Sequence, residues 1–153
     1  MTKKVLIATF SRTGHTQRLA DQLAYRISGT DQYQIKVAPD TYSSDMYETA
    51  DIAKQEIATG DFPALTEKLS DYHQYDLILI GSPVWSGMPA APIYSFLKSI
   101  SDFKGVVATF YTDAGMPGDY EQVFKKWAGS LKILPAHRET NDLMAWIRDT
   151  LQI

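Results

Sequence analysis

Three largely apolar runs constrain this chain more than any other feature: Val5-Leu6-Ile7-Ala8, Leu77-Ile78-Leu79-Ile80 and Val106 to Tyr111, the last broken only by Thr109. A strand with one wet face alternates apolar and polar residues, whereas an unbroken apolar run reads as a strand covered on both faces. Each run ends in a loop of small or polar residues, and each loop is followed by apolar residues at helical spacing. Leu19, Ala20, Leu23, Ala24 and Ile27 follow the first, with Gly29 as a stop. Pro92 suits a first helical turn after the second, ahead of Ile93, Phe96, Leu97 and Ile100. After the third, Asp119 with Gln122 reads as a cap before Val123, Phe124, Trp127 and Leu131. Strands alternating with helices in this way predict an α/β fold: a parallel sheet with helices on both faces, a three-layer sandwich.

Weaker signals complete the outline. Tyr33 to Val37 reads as a short strand, and Lys132 to Leu134 as a brief last one, making five. Asp45-x-x-Glu48 resembles a capping box before Ala50, Ala53 and Ile57, with Gly60 closing that helix. Phe62 to Tyr75 reads as loop or frayed turn. Leu143, Met144, Ile147 and Leu151 are expected to face inward from a terminal helix. With 153 residues, residues 1–153 are expected to form one domain able to bury a proper core.

Composition removes several function classes. The chain has no cysteine, which excludes disulfides, thiolate nucleophiles and cysteine metal sites. The net charge of −3 argues against nucleic-acid binding, which usually shows a basic patch. Polar Ser11, Arg12 and Thr13 interrupt the first apolar stretch too early for a secretory leader, and no stretch reaches the length of a membrane span. A cytoplasmic protein without membrane insertion is the expectation.

In a parallel sheet with right-handed crossovers, ligands bind beyond the carboxyl ends of the strands, where the strand order reverses. Three unusual loops fall there. The first is Ser11-Arg12-Thr13-Gly14-His15-Thr16. A helix start has unpaired N–H groups and roughly half a positive charge, so it attracts anions. The hydroxyls of Ser11, Thr13 and Thr16 add hydrogen bonds without charge, and Gly14 lets the backbone come close to a ligand. Simple capping would need only one such hydroxyl. The loop therefore points to a phosphate held without lysine.

The second loop is Gly81-Ser82-Pro83-Val84-Trp85-Ser86-Gly87-Met88-Pro89. Trp85 lies outside any helical apolar face. It suits either stacking on a planar ring or packing as a lid over the sheet end. Trp127 and Trp146 sit at core-compatible helix positions. The third loop is Thr112-Asp113-Ala114-Gly115-Met116-Pro117-Gly118-Asp119. Its small residues let backbone groups approach a ring edge, while an ordinary connection ending in a cap explains Asp119 but not the pair Gly115 and Gly118. Met88 and Met116 suit either the border of a ring or gap filling.

On these loops the chain resembles the short-chain flavodoxins and the wider flavodoxin-like flavoproteins, over essentially its whole length. The resemblance implies strand order 2-1-3-4-5 and noncovalent FMN. It implies the phosphate on Ser11 to Thr16, the ring beside Trp85 and the Ser82 to Met88 loop, and its pyrimidine side near Thr112, Asp113, Ala114, Gly115, Gly118 and Asp119. Gly87 becomes the candidate for a peptide that answers the ring N5, and Asp113 a negative charge that lowers the potential. Where the family usually carries Asn, this chain has His15. A role as an electron carrier between redox partner proteins is the first expectation, as a monomer or weak dimer. The modest charge gives weak steering toward basic partners. An FMN-dependent NAD(P)H or quinone reductase is the second, and no G-x-G-x-x-G fingerprint supports it; a flavin-free interaction module is the third. A phosphoacceptor receiver is excluded, because Thr9-Phe10-Ser11 and Gly81-Ser82-Pro83 stand where its acidic residues would be. A G-x-S-x-G elbow and a phosphate-loop lysine are absent.

Overall fold

The computed structural model describes residues 3–42 and 45–153. Its parallel sheet is built from β1 (Val5–Thr9), β2 (Thr30–Gln34), β3 (Leu77–Trp85), β5 (Val106–Thr112) and β6 (Lys132–Ile133), in the order β2-β1-β3-β5-β6. Counting the parallel strands alone, this is the expected 2-1-3-4-5 order. Two short strands extend it. β4 (Met88–Pro89) folds back antiparallel on the end of β3, and β7 (His137–Arg138) pairs in parallel with the far end of β5. The expected last strand over Lys132 to Leu134 is β6, whose pairing with β5 ends in the Leu134 N–H donated to the Val107 carbonyl at 2.9 Å, and β7 is an addition that the sequence pattern did not show. Between the two, Pro135 has no N–H to donate.

Helices α1 (His15–Arg26), α2 (Met46–Thr59), α3 (Ala91–Ser99) and α4 (Tyr120–Ala128) cover the two faces, with a terminal helix, α5 (Leu143–Ala145), running on in π geometry through Trp146–Leu151. Alternation along the buried strands sorts the core into two clusters. Val5, Ile7, Leu77, Leu79, Ala108 and Phe110 pack against Leu19 and Leu23 of α1 and against Trp146, Ile147 and Leu151. Leu6, Ala8, Ile78, Ile80 and Val107 face the other way, onto Ala53 of α2, Ile93, Phe96 and Leu97 of α3, and Phe124 and Trp127 of α4. Both faces are dry, which is why the strand sequences show no polar alternation.

Three expectations are corrected. β2 begins three residues earlier than the apolar signal: Thr30, Asp31 and Gln32 pair with Val5, Leu6 and Ile7 through backbone alone. It is an edge strand with exposed side chains, so its start carries no apolar signature. Val37 instead bridges antiparallel to Leu65. Asp119 precedes α4 without a side-chain capping bond. Met144 is exposed rather than inward, because the wider π turn brings Trp146 to the core in its place. Asp45 does cap α2, accepting from the Tyr47 N–H at 2.8 Å, and Gly60 ends that helix in the left-handed region.

Candidate functional site

The three segments meet at the carboxyl end of the sheet, but the second is not the expected loop: Gly81 to Trp85 continue β3, Met88–Pro89 form β4, and only Ser86 and Gly87 turn between them. In the first, Gly14 adopts φ +93° just before α1. Ser11 Oγ accepts the N–H groups of Gly14 (3.1 Å) and Gln17 (3.3 Å). That oxygen occupies two of the orphan donors of the helix start and keeps its own proton to give. Beside them, the Thr9 hydroxyl is buried with no hydrogen-bond partner. It lines a small cavity of about 220 Å³ together with Ser11, Gly14 and Gln17. Thr16 is also buried, and its hydroxyl meets that of Thr112 at 2.8 Å. It ties the first loop to the end of β5 rather than facing outward.

A cavity of about 230 Å³ lies across the β1–β3 boundary, where the strand order reverses. Arg12, Thr13, His15 and Thr16 line it from the first loop, Pro83, Val84 and Trp85 from the second, and Thr112, Asp113 and Ala114 from the third. Glu139, just past β7, completes it. Trp85 is only 5% exposed; its ring meets Phe10 (centroids 5.4 Å) and Tyr42 (4.9 Å) edge to face. It packs over the sheet end and borders the cavity at once. Tyr42 in turn donates to Glu56 at 2.8 Å, and burial followed by that bond pushes its phenol above the ordinary range.

Other residues of the loops support the site from outside the cavity. Ser82 is buried, donating to the Pro83 carbonyl and accepting the Ala90 N–H at 3.0 Å. Ser86 (φ +53°) and Gly87 (φ +77°) make the tight turn between β3 and β4, and Met88 pairs with Trp85 across it. The Gly87 carbonyl accepts the Asp119 N–H at 2.9 Å. Gly118 lies so close to Gly87 that an added Cβ would overlap the Gly87 Cα. Gly115 is in open space, its N–H donated to Asp113 at 2.7 Å.

Asp113 differs most from the sequence reading. Its carboxylate is not an isolated charge. Arg138 of β7 grips it with Nε at 2.9 Å and Nη2 at 3.1 Å, and the Asp113 side chain is 2% exposed. The guanidinium holds the carboxyl below the usual carboxylate range, against the upward push of burial. Arg138 and Glu139 carry no motif, and only the pairing of β7 with β5 brings them here.

A larger cavity, about 720 Å³, opens on the other side of Arg12 and Thr13. Phe10, Ser11 and the segment after β2, from Ile35 to Pro39 with Tyr42, line it together with Thr66. The sequence reading placed no site on that segment.

The family model described as Flavodoxin matches residues 4–147. The chain belongs to the flavodoxin family. A flavoprotein from Lactobacillus acidophilus NCFM, crystallised in complex with FMN, is similar at 38% identity and a TM-score of 0.89, over 95% of this chain and 99% of that one. The apo form of the flavoprotein from that organism, solved by NMR, is similar at 39% identity with a TM-score of 0.76, over 95% and 98%. The two-electron reduced flavodoxin of Megasphaera elsdenii shares the fold at 18% identity, with a TM-score of 0.55 over 88% of this chain and 84% of that one. Among the described residues no helix is long and apolar enough to cross a membrane, and no group of three His, Asp or Glu is placed to hold a metal.

Proposed function

We propose that this chain, acting as a single domain, binds FMN noncovalently and carries single electrons between redox partner proteins in the cytoplasm, as a monomer or weak dimer. The observation that carries the reading is the first loop. The α1 start, the left-handed Gly14, the Ser11 oxygen on two N–H groups and the unpartnered buried hydroxyl of Thr9 make a set of uncharged donors suited to a phosphate dianion. The likeness, at 38% identity over 95% of this chain, to a flavoprotein crystallised with FMN supports the same cofactor.

FMN supplies the electron chemistry when bound; the chain's residues hold and tune it. The Ser11 hydroxyl, which keeps its proton to give, and the N–H groups of the α1 start that Ser11 leaves open would hold the phosphate. Thr13, Pro83, Val84, Trp85, Asp113 and Ala114 would border the ring, with Trp85 fixed in place by Phe10 and Tyr42. At the turn tip, the Ser86–Gly87 peptide would be the one that answers the ring N5, because the Gly87 carbonyl on its other side is held by the Asp119 N–H. No side chain is required as nucleophile or general acid.

A second reading, an FMN-dependent NAD(P)H or quinone reductase, is favoured by the 720 Å³ cavity beside the first loop, which has room for a small aromatic substrate. Anaerobic reductive titration of the FMN-reconstituted chain separates the two. The carrier reading expects two resolved one-electron steps and no consumption of NAD(P)H. A single two-electron step with NAD(P)H oxidised by quinone would replace it with the reductase. Failure to take up FMN would overturn both.

A further inference from the structure

The cavity at the strand-order reversal is lined by basic and acidic side chains together: Arg12 and His15 from the first loop, Asp113 and Glu139 from the end of β5 and from just past β7. A flavin bound there would bring a phosphate dianion and a ring that gains negative charge on reduction. A bare carboxylate in the wall would oppose both. The structure pairs that carboxylate instead. Asp113 is shielded from solvent and accepts two parallel N–H bonds from Arg138, the geometry that gives guanidinium–carboxylate pairs their strength and direction. A third bond, from the Gly115 N–H, fixes the carboxylate to its own loop.

Arg138 is itself held from below. β7 pairs Phe110 with His137 and Tyr111 with Arg138, and the Glu139 N–H donates to the Tyr111 carbonyl at 3.0 Å. His137 is buried against the Trp146 ring, with centroids 5.1 Å apart, and the Trp146 Nε1 donates to the Pro135 carbonyl at 2.8 Å. The two-residue strand thus presents the guanidinium from the rigid body of the fold, and Asp113 sits on the loop that must adapt.

We propose that Arg138 is a positioning residue of the cofactor site: it holds the Asp113 carboxylate charge-compensated in the cavity wall, and so sets both the retention and the reduction potential of a flavin bound there. The role rests on the FMN reading above. It assigns the neutralisation of Asp113 to a residue one strand away. A lysine could supply the charge but not the two-pronged grip.

The test is a charge cycle in the full-length, FMN-reconstituted chain: Arg138→Gln, Asp113→Asn, the double variant, and Arg138→Lys. FMN affinity, midpoint potential and, in the FMN-free protein, the titration of the Asp113 carboxyl by carbon-detected NMR are read for each. Arg138→Gln is expected to weaken FMN binding roughly tenfold, to move the potential negative and to raise the Asp113 titration. The double variant is expected to return affinity and potential close to the wild type. Arg138→Lys should recover the potential more than the affinity. The proposal is overturned if Arg138→Gln shifts the potential as much in the Asp113→Asn background as alone, or if Arg138→Lys behaves as Arg138→Gln in potential. If the wild type takes up no FMN, the cofactor reading and this role fall together, and a moved Asp113 titration then marks the pair as structural only.

Discussion

The loop after β1 and the loop after β5 both end a buried strand, both carry glycines at positive φ, and both approach the same cavity, yet they are held in opposite ways. The first is held chiefly from within: Ser11 reaches Gly14 and Gln17, at most six residues away, and Thr16 adds one tie to Thr112. The second is held from afar: Asp113 by Arg138, Gly118 and Asp119 by Gly87. A locally held loop forms with its helix. A loop held from afar is only as well placed as the elements it leans on, so it is the one where sequence changes elsewhere can retune the site.

One substitution made in both loops breaks the comparison most sharply. Gly118→Ala adds a Cβ that overlaps the Gly87 backbone, where no flexible side chain can yield, at a residue with φ +57°. We expect a loss of about 3 kcal/mol in denaturant unfolding, together with displacement of the β3–β4 turn. Gly14→Ala meets nothing within 4 Å, so only its left-handed conformation is penalised. The expected cost is about 1–2 kcal/mol by the same assay. Equal costs would mean that the contact between the second and third loops is not a tight one.

The hydroxyl pair of Thr16 and Thr112 is the cross-link between the two regions. Thr16→Val keeps the shape and removes the bond; about 1 kcal/mol of stability should go, with faster amide exchange at Asp113 and Ala114 but not at Gly14. If Gly14 responds as strongly, the loops move as one unit. The smallest effect at neutral pH concerns the support beneath Arg138. Burial lowers the pKa of His137 below its ordinary value of 6.5, so the unfolded chain binds a proton that the native chain resists. Asp142 opposes that lowering. Stability therefore falls as pH drops below about 6.5, by at most about 1.4 kcal/mol per pH unit for one proton. His137→Phe should flatten that part of the pH profile. An unchanged slope would place the acid sensitivity elsewhere.

The same contrast marks what could be read in the sequence. Val5 to Ala8, Leu77 to Ile80 and Val106 to Tyr111 announced the buried strands because burial on both faces leaves no polar alternation in them, and the one polar residue, Thr109, is buried with its hydroxyl bonded to the Ile80 carbonyl. Ser11 to Thr16 was legible because an anion-binding helix start is a local device. β2 was misplaced by three residues because an edge strand pairs by backbone and carries whatever side chains solvent tolerates. β7 was missed because two residues have no periodicity. Arg138 could not be found at all, since its role exists only through the register of β7 with β5. For the same reason the segment from Ile35 to Tyr42 looked like plain connection. Its neighbours in the large cavity are Phe10 and Ser11, some thirty residues earlier in the chain.

The margins of the sheet carry a consequence for how the molecule keeps to itself. On one side, β2 is polar, and the chain just beyond it is covered by its own Leu65 and Thr66, with the Thr66 N–H donated to the Lys36 carbonyl at 2.9 Å. On the other, β6 and β7 are two residues each with Pro135 between them. Neither margin offers a long, flat, apolar row of free backbone groups on which another strand could grow. Stacking into fibres by edge addition is therefore discouraged from both sides, and any self-association has to use helices and loops. The rim that carries the cofactor loops is left as the surface where recognition is least constrained by the need to avoid aggregation.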